Sequence, residues 1–178
     1  MKQQAITDVE CWLRDCVLDL SLCPFARVPW QAGRVQLVVM AANESLITGV
    51  EREIQQLTTD AADTETTLLI LPGRLQRFLD FNDCVGDLED WLTASQLDQL
   101  FQLVGFHPQY LFAGEATDDA SHFTNRAPYP IVQILRAASV AKAAEESDTL
   151  AIPQRNIDTL RSLSKEQLRA LFPWSYRS

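Results

Sequence analysis

The stretch RVQLVVMAANESLITGVEREIQQLTTDAADTETTLLIL, residues 34–71, decides the fold class. Its first seven residues, RVQLVVM, are rich in valine, whose branched side chain suits a pleated strand. The pattern then changes period. Leu46, Ile47, Val50, Ile54 and Leu57 recur at helical spacing behind Asn43, a residue type that caps helices. ETTLLIL at 65–71 is a second apolar strand, stopped by Pro72-Gly73. Strand, helix and strand within 38 residues predict a right-handed crossover between parallel, neighbouring strands.

Working outward, Val9, Trp12, Leu13, Cys16, Val17 and Leu20 form one apolar stripe and predict a helix over 6–20, closed by Pro24. Beyond the crossover, a helix, whole or broken, is expected over 74–94, with Val85, Leu88, Trp91 and Leu92 as its better half, and QLFQLVGF at 99–106 reads as a third strand. Residues 107–129 are loop-rich, with Tyr110–Ala113 a candidate edge strand. Loops of such length in a compact domain are often functional. A helix is expected over Pro130–Glu145, with proline in its first turn. Pro153 opens another through Leu163, and Ser164-Lys-Glu-Gln167 is a capping-box pattern leading into Leu168 and Leu171. The expected architecture is α+β in one domain spanning 1–178. It has a small mixed sheet of three to four strands, helices mostly on one face and a helical C-terminal tail. The ferredoxin-like arrangement is one candidate.

The chain of 178 residues carries 24 acids against 15 bases, a net charge of −9. The surplus lies in residues 1–100, with sixteen acids and seven bases, whereas 101–178 hold eight of each. Such a balance repels phosphate backbones and argues against nucleic acid as a partner. No apolar run reaches the roughly 18 residues of a membrane span, and MKQQAITDVECW has no apolar core of a signal peptide. A cytoplasmic protein is the expectation. Cysteines at 11, 16, 23 and 84 form no C-x-x-C and, with two histidines, no zinc pattern. No metal and no cofactor are therefore expected, and the acids and histidine at Asp118, Asp119 and His122 read as loop residues. The oligomeric state is not legible.

Two residues are candidate catalysts. Cys23 is a thiol that His107 could activate, although its place after a helix C-terminus disfavours the thiolate. His107 directly follows a strand, where sheets present reactive groups. In FTNRAPYPIVQILR, 123–136, the expected helix leaves Gln133, Arg136 and Ser139 as a polar stripe, and Arg126 stands ahead of its N-terminus. Free amides and a guanidinium at such a terminus suit an anion. Asn125, Arg126, Tyr129, Gln133 and Arg136 are thus the candidate binding residues, with Arg155 and Asn156 of the next helix as a second donor set.

LCPFA (22–26), FHPQYLFAG (106–114), TNRAPYP (124–130), ILR (134–136) and RNIDTL (155–160) occur in this order. Together they resemble an uncharacterised bacterial, mainly proteobacterial, family of unknown function over roughly residues 5–163. That resemblance implies relatives and no reaction. It includes a departure: the family pattern has His at the position of Gln133 and an acidic residue at Ala137, so a His-dependent mechanism on this segment is not expected here. The functional expectation is an enzyme acting on a small carboxylate or phosphate. The alternatives are a non-catalytic anion sensor or carrier, or an interaction module built on Phe172, Trp174 and Tyr176.

Overall fold

The computed structural model describes residues 2–60, 62–146 and 151–176. Its elements in chain order are α1 (Lys2–Trp12), α2 (Arg27–Gln31), β1 (Val35–Val39), α3 (Leu46–Thr59), β2 (Thr66–Ile70), α4 (Phe78–Ala94), β3 (Phe101–Phe106), β4 (Ile131–Arg136), α5 (Ala137–Glu146), α6 (Ile152–Ser162) and α7 (Lys165–Leu171). The expected crossover is present: β1 and β2 pair in parallel, Val35 opposite Thr66 and Val39 opposite Ile70. The capping position of α3 is Ser45 rather than Asn43, and α4 runs unbroken.

The sheet order is β1-β2-β4-β3, and β4 is antiparallel to both its neighbours. Adjacent β1 and β2 exclude the ferredoxin-like order, in which another strand splits the β-α-β unit. The α+β class, the mixed sheet and the helical tail are as expected.

The main correction concerns residues 130–145. IVQILR is a central strand, and helix begins only at Ala137. The polar residues at 133, 136 and 139 straddle a strand and a helix, so their helical spacing is accidental. Three β-branched residues, Ile131, Val132 and Ile134, favour the pleat. Strand alternation then sends Gln133 and Arg136 to opposite faces. The amides of Ile131 and Val132 belong to strands instead of a helix terminus.

Central strands buried on both faces read as continuous apolar runs. TTLLI is buried at every position. Leu69, Leu71, Val132 and Ile134 pack with Val50, Ile54 and Leu57 of α3 and Phe81, Leu88 and Leu92 of α4. On the other face Leu68, Ile70 and Ile131 meet Val9 and Trp12 of α1, Leu160 of α6, Leu168 of α7 and Phe172. The helices are thus shared between two faces. Each such side chain contributes about 1.5–3 kcal/mol when fully buried. Residues Leu13–Leu18 continue α1 as a wider π turn, which lets Leu13, Cys16, Val17 and Leu18 all stay buried.

Candidate functional site

The second face of the sheet is only partly covered. Beyond the ground held by α1 and the tail, it floors a cleft of about 510 Å³, within the range of small-ligand sites. The floor is Val35 of β1, Thr66 and Leu68 of β2, Gln133 and Leu135 of β4 and Val104 and Phe106 of β3. One wall is the segment from Cys23 to Ala32, including Phe25 and Trp30; another is the α5 side, with Ser139, Val140 and Lys142. Val104, Leu135 and Phe25 belong to neither core cluster, so their apolar surface lines the cleft instead of filling the interior.

Polar groups meet at one end. Arg34 and Glu65 each precede a strand, and the parallel register brings them together in a 2.9 Å ion pair. The Thr66 hydroxyl donates to the Ile134 carbonyl at 2.7 Å and accepts from Gln133 Nε2 at 3.1 Å. Arg136 Nη2 donates to the Leu57 carbonyl and, at 3.1 Å, to that of Thr64, which fixes the guanidinium beside the end of α3, where a cation is favoured. Its Nε is buried with no hydrogen-bond partner. The first turn of α5, where helix amides lack intrahelical acceptors, adjoins this end.

Three of the sequence candidates, Cys23, Gln133 and Arg136, line the cleft. Burial pushes the Cys23 thiol up, against the opposing pull of the Phe25 and Ala26 amides. Arg27, the nearest arginine in sequence, donates to the Leu18 carbonyl at 2.7 Å. The thiol is therefore not held as a thiolate.

The other candidates tie segments together. His107 is buried; its Nδ1 accepts the Gln109 N–H at 3.0 Å, so its Nε2 carries the proton and donates to the Leu75 carbonyl at 3.1 Å. The ring lies 5.6 and 5.3 Å from those of Phe78 and Phe81, and burial lowers its pKa from the ordinary value. Leu75 has a φ of 48°, a strained conformation for a branched residue, and His107 anchors its carbonyl. His122 acts alike, with Nδ1 accepting the Phe112 N–H at 3.1 Å and Nε2 at 2.8 Å from the Ala116 carbonyl.

Asn125 donates to the Gly105 carbonyl at 3.1 Å, and its own carbonyl accepts the His107 N–H. The Arg126 guanidinium lies 4.4 Å over the Phe123 ring, with Nε donating to the Tyr110 carbonyl at 3.3 Å. Tyr129 donates to Asp8 at 2.6 Å, buried Asn156 to the Leu22 carbonyl at 2.7 Å, and Arg155 is exposed. Residues Tyr110–Ala113 form no strand, and the loop ends in a 3-10 turn, Ala120–Asn125, capped by Asp119. The Ser121 amide and Arg161 hold the Asp119 carboxylate down to about 2. Among the described residues no group of three or more His, Cys, Asp or Glu is placed to hold a metal. Nor is any helix long and apolar enough to cross a membrane.

Sequence reasoning missed Arg34, Glu65, Thr66 and Lys142. The first two carried a signal, since charged residues immediately before parallel neighbouring strands fall side by side.

The fold and cleft define an α+β protein whose mixed sheet floors an open concavity. The chain belongs to the family described as "Protein of unknown function (DUF1415)", which matches residues 4–170. No curated protein and no solved structure matches it.

Proposed function

We propose that this protein is a binding protein for a small organic anion, seated in the cleft over β2 and β4. One observation carries the reading. In a chain of net charge −9, the cleft is lined by three cations, Arg34, Arg136 and Lys142, against a single acid, Glu65. Glu65 holds the Arg34 guanidinium and the Leu57 and Thr64 carbonyls hold that of Arg136, so the Lys142 ammonium is the group that meets the anion, with the two guanidinium charges adding positive potential at this end. Gln133, Thr66 and Ser139 add neutral polar contacts. Binding without catalysis fits the chemistry of the titratable groups: Cys23 is kept protonated, and His107 is spent on two backbone partners outside the cleft.

The test is calorimetric titration with butyrate, phosphate and a neutral amide of matching size, for wild type and Lys142→Glu. Lys142 is exposed at the rim, so its replacement leaves the fold intact. The reading expects butyrate to bind more tightly than the amide, and the charge reversal to weaken it roughly tenfold, about 1.4 kcal/mol. Equal binding of amide and anion, or no binding at all, would refute it.

A further inference from the structure

Resting on the anion reading above, we infer that the ligand is a linear aliphatic carboxylate, with its head at the Lys142 rim of the cleft, where β4 ends, and its chain along the sheet towards Phe106. The strand register carries this. Arg34 and Glu65 precede the row formed by Val35, Thr66 and Leu135, and Arg136 ends β4 beside it. Along β4 in the opposite direction come Gln133, level with Leu68 and Val104, and then the row containing Phe106. Charge is therefore gathered at one end of the cleft, and at the other Phe106 packs against Trp12 of α1, ring centroids 5.2 Å apart.

From Arg136 to Ile131, the partner of Phe106, is five residues, or roughly 17 Å at about 3.3 Å per residue. An extended alkyl chain advances about 1.3 Å per C–C bond of about 1.5 Å, so about fourteen carbons span the floor. Exposure supports an aliphatic occupant. Val28, at the rim, is 74% exposed, and Val35, Val104, Phe106 and Leu135 of the floor are only half-buried. An alkyl chain would cover this surface without needing hydrogen bonds that the floor does not offer. The excess of cations in the cleft selects a carboxylate over a neutral or cationic amphiphile.

The experiment titrates n-alkyl carboxylates of four to sixteen carbons into the full chain, below their micelle concentrations, beside the n-alkyl alcohols. Affinity should rise about three- to fourfold per added methylene. The rise should stop at about fourteen carbons, and each alcohol should bind at least tenfold more weakly than its carboxylate. Val104→Trp, which fills the floor, should abolish the chain-length dependence while leaving butyrate binding in place. If that variant does not fold, the wild-type series alone decides. Carboxylates that bind with no dependence on chain length would overturn this inference and leave the anion reading standing. Alcohols that bind as well as carboxylates would overturn both. Affinity that falls as protein concentration rises would show that a second copy of the chain covers the cleft, which also overturns the inference.

Discussion

Replacing His107 by alanine tests the strongest structural statement, that this histidine is a neutral brace between β3 and the turn before α4. The substitution leaves the Gln109 N–H and the Leu75 carbonyl without their partner, at about 1–3 kcal/mol for each group that stays buried. It also opens a void beside Phe78 and Phe81. The sum is about 3–5 kcal/mol. For a domain of this size each kcal/mol moves Tm by about 2–4 °C, so a fall of roughly 10 °C is expected.

Titration gives an independent reading of the same residue. Burial depresses the His107 pKa in the native state, so below the ordinary value of 6.5 the unfolded chain takes up a proton that the folded chain refuses. The stability is fully present above 6.5 and is lost as pH falls from there towards the depressed native value. The slope in that window approaches about 1.4 kcal/mol per pH unit. Urea melts of wild type and His107→Ala at several pH values between 7.5 and 5 would measure it. The wild-type curve should fall more steeply than the variant's. A variant that melts within a degree of wild type, with the same pH slope, would refute the brace.

Further outcomes follow from the same geometry. Cys23 should be alkylated far more slowly in the native protein at pH 7.5 than after denaturation, since burial holds its thiol protonated; fast native labelling would contradict this. Arg126→Ala should cost about 2–4 kcal/mol through the lost Tyr110 carbonyl bond and the contact with Phe123, seen as a lower urea midpoint. It should leave carboxylate affinity unchanged, because Arg126 lies outside the cleft. Asn156→Ala should cost about 1–3 kcal/mol by stranding the Leu22 carbonyl at the root of the cleft wall, with a matching loss in thermal melts. Duplex DNA at physiological salt should show no retardation with the protein, given a net charge of −9.

The parallel unit at 34–71 was legible because its period switches cleanly from strand to helix and back. The tail was legible too, where Ser164 and Gln167 close the capping box that their spacing announces. IVQILR was not, because a six-residue apolar run has no period of its own, and the alanine-rich segment after it extends a false helical pattern. The candidate site suffered from that error, since a misplaced helix terminus drew attention to Arg126. Chain order also hid the site: residues from 23–35, 65–68, 104–106 and 133–143 meet only through sheet order. Arg136 and Gln133 were chosen from a helix that does not form, although both line the cleft, and His107 was located correctly at a strand end but serves the loop.

Where a small carboxylate binds can be measured directly. Titrating octanoate into ¹⁵N-labelled protein, with amide shifts followed by NMR, locates it residue by residue. The cleft reading predicts that the shifted amides cluster at 23–35, 65–68, 104–106 and 133–143. Shifts confined to the 107–129 loop around Arg126 and His107, or none at millimolar octanoate, would contradict it.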